Sequence, residues 1–184
     1  MIPAPPLTNM RCRRYRPSDR SPALGIFESN IPESFLVSER AMFLEFIDGE
    51  QGPYLVAEDR AGTIIGCGGI AQVGPSVTLC WGIVNRRYHR RGVGRFLLRI
   101  RLGMAAALPG ITEVLMNTSN EAAPFFEREG FQTIKVMPNF FREGLHRHDM
   151  RLVLDDRARH VIADKLEETL EAGHHVEGGI LQWT

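Results

Sequence analysis

Trp81-Gly82-Ile83-Val84-Asn85-Arg86-Arg87-Tyr88-His89-Arg90-Arg91-Gly92-Val93-Gly94-Arg95 decides how the rest of the chain is read. An apolar, strand-like run ends at Val84, a polar loop with two closely spaced glycines follows, and from Val93 the apolar residues Phe96, Leu97, Ile100, Met104 and Leu108 recur at helical spacing. A strand therefore passes through a glycine-containing loop into a helix start. The first amides of a helix lack intrahelical acceptors, the aligned peptide dipoles add about half a positive charge, and glycine lets a ligand approach the backbone closely. Seven arginines and no carboxylate lie from Asn85 to Arg101. Such a segment suits a pyrophosphate or a 3′-phosphate.

Two other readings of the stretch exist. It could be an ordinary solvated helix start whose arginines face water. It could also be a dinucleotide fingerprint, because Gly92-x-Gly94 follows a strand and Glu113 lies roughly 20 residues on. Against that, Leu97 stands at the third glycine position. Three strands with no helix between them also precede the loop, where that fold would begin with its phosphate-binding unit.

Those strands are residues 53–58, 63–71 and 77–84, the first two joined by the turn-forming Asp59-Arg60-Ala61-Gly62. Without a crossover helix they form an antiparallel meander. In the third, Val77, Leu79, Trp81 and Ile83 alternate against Thr78, Cys80, Gly82 and Val84. Upstream, a short strand at 11–15 precedes a helix starting near Ser18 or Ser21 with Pro22, and Ser38 is placed to cap a second helix. The proline-containing connection 30–36 between them is suited to a loop lining a site. Downstream come a strand at 111–117, a helix at 121–129, a strand at 131–137, a loop at 138–145 and a last strand at 147–154. The order β-α-α-β-β-β-α-β-α-β-β describes an α/β domain over residues 1–155. Residues 156–184 form an amphipathic helix and tail that could pack on the domain, cover the site or join a partner, a homodimer being one expectation.

The chain of 184 residues, 43% hydrophobic, suffices for one core. Its 22 cationic and 22 acidic residues balance, which gives no reason to expect nucleic acid or an acidic membrane as partner. Cys12, Cys67 and Cys80 have no metal-ligand spacing, so reduced thiols and no metal are expected. With no run of signal-peptide or membrane-span length, a soluble, cytoplasmic protein is expected.

His89-Arg90-Arg91-Gly92-Val93-Gly94 resembles the acyl-CoA signature of the GNAT superfamily, glutamine or arginine, two variable residues, glycine, any residue, then glycine or alanine. His89 departs from its first position. The stretch 120–131 resembles that family's next helix, with Asn120, Ala123 and Gly130-Phe131 in the usual places. The resemblance covers roughly residues 11–154. It implies a mixed, mostly antiparallel sheet of six to seven strands with a splayed parallel pair, and acetyl-CoA as co-substrate. By the same resemblance Ile83 and Val84 pair with pantetheine, Arg90, Arg91, Gly92, Val93, Gly94 and Arg95 hold the pyrophosphate, Arg87 reaches a phosphate and Asn120 contacts the cofactor arm. The family's general acid is a tyrosine at the position of Phe126, so no phenol can protonate the departing sulfur there. That leaves an enzyme relying on an intrinsically good leaving group or a noncatalytic acyl-CoA sensor. For the base, His146 and His148 share strand parity with Met150, Leu152 and Leu154, and His148 is the first candidate. A structural histidine there, or Glu28, Glu33 or Glu39 as base, are the other readings. The acceptor, a primary amine of a small molecule or peptide, has no code in the sequence.

Overall fold

The computed structural model describes residues 5–49 and 52–182. One eight-stranded sheet runs through it, in the order β6-β7-β5-β4-β3-β2-β1-β8. Strands β2 (Tyr54–Glu58), β3 (Ile64–Val73) and β4 (Ser76–Val84) form the antiparallel meander expected from their crossover-free spacing, and β1 (Arg11–Arg14), two helices earlier in the chain, pairs antiparallel with β2. After helix α3 (Val93–Ala107) the chain re-enters the sheet as β5 (Glu113–Ser119), parallel to β4, and β7 (Leu145–Val153) pairs antiparallel with both β5 and β6 (Gln132–Arg142).

Each face of the sheet carries a core. Against one, α3 buries Val93, Phe96, Leu97, Ile100 and Met104 with Leu55, Ile65, Val77, Val114 and Met150. Against the other, α1 (Arg20–Glu28) and α2 (Arg40–Asp48) bury Ala23, Ile26, Phe27, Phe43 and Ile47 with Val56, Cys67 and Ile83. Cys12 and Cys67 are fully buried, and burial pushes both thiols up to about 12. Burial also raises the Cys80 thiol, in keeping with a core role.

Several local expectations are corrected. The helix starts are not capped by serine: α1 follows a 3-10 turn whose Asp19 accepts the Arg16 N–H at 2.8 Å, and before α2 Glu39 accepts the Leu36 N–H at 2.7 Å. The helix expected at 121–129 is the shorter α4 (Ala123–Arg128), with Pro124 in its first turn. Residues 138–145 are not a loop. β6 continues to Arg142 through a register shift after Met137, so only 143–144 turn. The sheet also gains an eighth strand from the C-terminal segment. There α5 (Asp156–Glu171), its first turn capped by Asp155 accepting the Ala158 N–H at 2.7 Å, lies on α3, and β8 (His175–Val176) pairs parallel with β1. Among the described residues no helix is long and apolar enough to cross a membrane.

Candidate active site

The candidate site lies where β4 and β5 part. Their parallel ladder has three rungs, Ser76 with Glu113, Val77 with Val114 and Thr78 with Leu115. Beyond it β4 stays paired to β3 as far as Val84 and β5 to β7 as far as Ser119, but not to each other. Just past the last rung β4 carries a bulge: Trp81 and Gly82 together face Gly68, with Trp81 at φ 40°. A bulge bends its strand and increases its twist. It also breaks the regular alternation expected from the sequence. Val77 and Leu79 pack with the α3 core, Trp81 and Ile83 with the α1–α2 core, and Val84 with the α3 core again.

The open cleft leads into the glycine loop. After β4, Asn85 accepts the Arg87 N–H at 3.1 Å and closes a 3-10 turn, Arg90 takes φ 60°, and Gly92 sits at the N-cap of α3 with φ 89°. A φ of that sign favours glycine. Among the described residues no side chain caps α3, and the amides of Val93, Gly94 and Arg95 have neither an intrahelical nor a side-chain acceptor there.

The arginines of the sequence motif disperse. Arg87 and Arg90 are exposed and make no ion pair among the described residues. Arg86 pairs with Glu33 at 2.8 Å, and Arg91 lies 5.7 Å from the Tyr88 ring centre. Arg95 pairs at 3.2 Å with Glu129, which also takes Lys165 at 3.1 Å. Arg99 turns to α5, and Arg101 is buried beneath β3 and β4. His89 points back into the fold: its Nε2 lies 2.9 Å from the Val84 carbonyl, which also accepts from Asn30 Nδ2 at 2.9 Å. The carbonyl of Val84 is thus an occupied acceptor.

On the α4 side Phe126 stacks edge-to-face with Phe125 and Phe131, ring centres 4.9 and 5.9 Å away. Asn120 is engaged at both ends, accepting the His146 N–H at 2.8 Å and donating to the Gly144 carbonyl at 3.4 Å. His146 Nδ1 accepts the Asn139 N–H at 3.0 Å. His148 pairs across the ladder with Thr118, in the half of β5 that has left β4, and its Nδ1 is 3.2 Å from the Thr133 hydroxyl. Of the candidate glutamates, Glu28 pairs with Arg40, Glu33 with Arg86, and Glu39 accepts from Leu36.

The other wall is aromatic. Trp81 meets Phe27, Phe35 and Phe43 with ring centres 6.2, 6.0 and 5.4 Å apart. Arg142, at the end of β6, donates to the carbonyls of Pro32 at 2.8 Å and Glu33 at 3.2 Å. This ties the connection 30–36 to the end of β6, within the segment 138–145. Sequence reasoning missed Arg142 because β6 was ended five residues short of it, at Met137. It missed Arg101 although the signal was there, since Arg101 follows Leu97 by four positions and precedes Met104 by three, on the buried stripe of α3. A cavity of about 480 Å³ among α4, α5 and β7, lined by Arg99, Arg151 and Lys165, includes no residue of β4 or the glycine loop.

A mixed sheet with a parting parallel pair and a glycine loop opening the helix between them defines an acyl-CoA-type acyltransferase fold. Residues 28–154 match the family described as acetyltransferase (GNAT) domain; the chain belongs to the GNAT acetyltransferase family and is a GNAT-type N-acetyltransferase. No curated protein matches it in sequence. Among solved structures it is similar to a GCN5-related N-acetyltransferase from Kribbella flavida, at 22% identity and TM-score 0.65 over 79% of this chain and 98% of that one. The ribosomal-protein-S18-alanine N-acetyltransferase of Escherichia coli gives 18% and 0.65 over 79% and 94%. An aminoglycoside 6′-N-acetyltransferase complexed with coenzyme A gives 15% and 0.65 over 79% and 98%. At these identities the likeness is one of fold.

Proposed function

We propose that the cleft between β4 and β5 takes the pantetheine arm of acetyl-CoA, or of another short acyl-CoA, and that the chain passes the acyl group directly to a primary amine. The single observation that carries this reading is the alignment of the parting strands with the uncapped, glycine-bearing start of α3. Backbone edges released by the split, apart from the carbonyls of Val84 and Trp81 that Asn30, His89 and Tyr54 already engage, would pair with an amide-containing arm, as in strand addition by a peptide. The amides of Val93, Gly94 and Arg95, reached across Gly92, would receive the pyrophosphate, with Arg87 and Arg90 as the charged side chains free to close on phosphate and Arg91 and Arg95 at its rim.

An amine with a pKa near 10 must lose a proton before it attacks. In this reading His148 takes it, because His148 backs onto the open half of β5 while the candidate glutamates already hold other groups. The oxygen of the tetrahedral intermediate would be met by a backbone N–H of the β4 bulge. Trp81 and Phe35, backed by the buried Phe27 and Phe43, would form the acceptor wall, under the strap that Arg142 fastens.

The test is coenzyme A calorimetry followed by thiol release from acetyl-CoA over a panel of primary amines. Binding with turnover supports the reading, binding without turnover on any amine favours an acyl-CoA sensor, and absence of binding overturns both. With a turned-over amine, His148→Ala should lower the rate most at low pH, where the protonated amine predominates; a profile parallel and equal to the parent's removes His148 from the mechanism.

A further inference from the structure

Two arginines of this molecule are buried on the sheet, and they are treated differently. Arg13, 8% exposed, donates to Asp19 at 2.6 and 2.9 Å and to Glu58 at 2.7 Å, and these bonds raise its pKa. This is what a buried cation needs when its role is structural. Arg101, 5% exposed, has no carboxylate partner among the described residues, and its Nε donates only to the Leu97 carbonyl one turn back in its own helix, at 3.2 Å. The titratable groups around it are Cys12 on β1, Tyr54 on β2, Cys67 on β3 and Cys80 on β4, none of them an acid at neutral pH. Burial lowers its pKa, yet a guanidinium keeps its charge in a protein.

The guanidinium lies against the bulge. A Cβ at Gly82 would stand 2.8 Å from Nη2 and 2.9 Å from Nη1, and one at Gly68 would stand 3.0 Å from Cζ. Glycines on adjacent strands therefore make the space the cation fills. Gly82 is itself exposed, and it belongs to the part of β4 that has left β5. Glycine backbone of β4 thus lies between the charge and the cleft. An arm running from the glycine loop past Val84 and Ile83 reaches Gly82 and Trp81 next, so the charge sits beside its reactive end.

We propose that Arg101 supplies the positive charge that stabilises the departing coenzyme A thiolate, the task left open by Phe126. The proposal rests on the reading of the cleft as the coenzyme A site. In the step concerned the amine nitrogen forms a bond to the acyl carbon, and the carbon–sulfur bond breaks. Its electron pair stays on sulfur, and the amine proton leaves through the base. Arg101 transfers no proton. It is a fixed charge in a water-poor site, where such a charge acts most strongly on one that develops during reaction.

The test needs no acceptor. Coenzyme A affinity is measured by calorimetry from about pH 6.5 to 9.5, on either side of the ordinary thiol value near 8.5, for the parent, Arg101→Met and Arg101→Lys. Desulfo-coenzyme A serves as the control that cancels phosphate and protein titrations. A cation favouring thiolate tightens the parent's binding as pH rises, by about tenfold for each unit by which the bound thiol's pKa is lowered. Arg101→Met should lose that rise, Arg101→Lys should keep much of it, and the control should not show it. Thermal melting verifies that each variant is folded. The same pH dependence in the parent and a folded Arg101→Met overturns the assignment. So does a preference of the parent for succinyl-CoA over acetyl-CoA that Arg101→Met abolishes, since the charge would then serve a permanent carboxylate. If coenzyme A binds none of the proteins, the cleft reading itself falls and takes the inference with it; binding with an unaltered pH dependence sinks the inference alone.

Discussion

Behind α3 and in front of it, the same helix meets two kinds of surroundings. Behind, α5 takes up most of what α3 and the turn after it offer: Arg99 donates to the Lys165 carbonyl and the Thr169 hydroxyl, both at 3.0 Å, leaving its Nε buried without a partner among the described residues, and Arg159 reaches back to the carbonyls of Ala106 and Ile111. Gly103 lets Leu166 in so closely that a Cβ there would stand 2.8 Å from its Cδ2. In front, the first amides are uncapped, Arg101 has no acid beside it among the described residues, and the neighbouring strand has lost its parallel partner. The contrast is between a face whose arginine is mostly bonded within the fold and a face whose groups we read as left for a ligand. Polar groups held without partners reduce stability, and proteins keep them where function uses them.

The front should therefore give the largest effect on binding. Gly92→Val would strain a residue at φ 89°, mixing folding with binding. Gly94 is the cleaner position, because its Cβ would meet only the Val84 Cγ2, at 3.7 Å. Gly94→Leu should fold normally and place a side chain across the path to the helix-start amides. Losing one or two charge-assisted bonds at about 1.5–3 kcal/mol each predicts a fall in coenzyme A affinity of at least about tenfold. Unchanged affinity in calorimetry would mean that phosphate does not sit on these amides.

The contrast can next be broken in melting temperature. Arg99→Met removes bonds made within the fold and should cost about 1–2 kcal/mol, lowering Tm by about 2–8 °C in a chain of this size. Arg101→Met removes a buried charge that no described acid balances and should leave Tm unchanged or raise it. A drop for Arg101→Met as large as that for Arg99→Met would make the two faces of α3 alike.

How much of this was legible depended on range along the chain. The glycine loop, the meander and the helix of α3 follow from local period and turn chemistry, and the parting parallel strands came from the family resemblance. The β4 bulge was not legible, since Trp81 and Gly82 continue a regular alternation and only pairing with Gly68 shows the extra residue. The engagement of Asn120 and His89 was also hidden, because their partners, Gly144 and His146 for one and the Val84 carbonyl for the other, are fixed by tertiary structure. The extension read as an amphipathic helix, yet β8 is two residues long and pairs with a strand more than 160 positions earlier, beyond any local signal.

Phe126→Tyr should change the rate by about tenfold or less, because a thiol with a pKa near 8.5 leaves readily and a fixed cation at Arg101 already favours its anion. The ring sits between Phe125 and Phe131, so the substitution keeps its packing shape. Single-turnover rates with a reactive amine measure it. A gain on the order of a thousandfold would show that a proton donor was limiting and that the charge in front of α3 does not do this work.

The smallest effect lies behind α3, where the extension is fastened by a titratable group. His174 accepts the Met10 N–H at 3.1 Å through Nδ1, and its ring centre is 5.0 Å from that of Phe96. Burial, and secondarily His175, lower its pKa, so the fold favours neutral imidazole. As pH falls below about 6.5 the unfolded chain takes up the proton before the folded one, and the stability due to neutral His174 is lost until the folded form is protonated too. The parent should therefore melt at a lower temperature at about pH 5.5 than at about pH 7.5, and His174→Asn, which can still accept from Met10, should show a smaller difference. Hydrogen exchange at the Met10 and His175 amides should quicken in the same window in the parent, as the joint between β1 and β8 loosens. Equal pH dependence of Tm in parent and variant would show that His174 does not fasten the extension by its charge state.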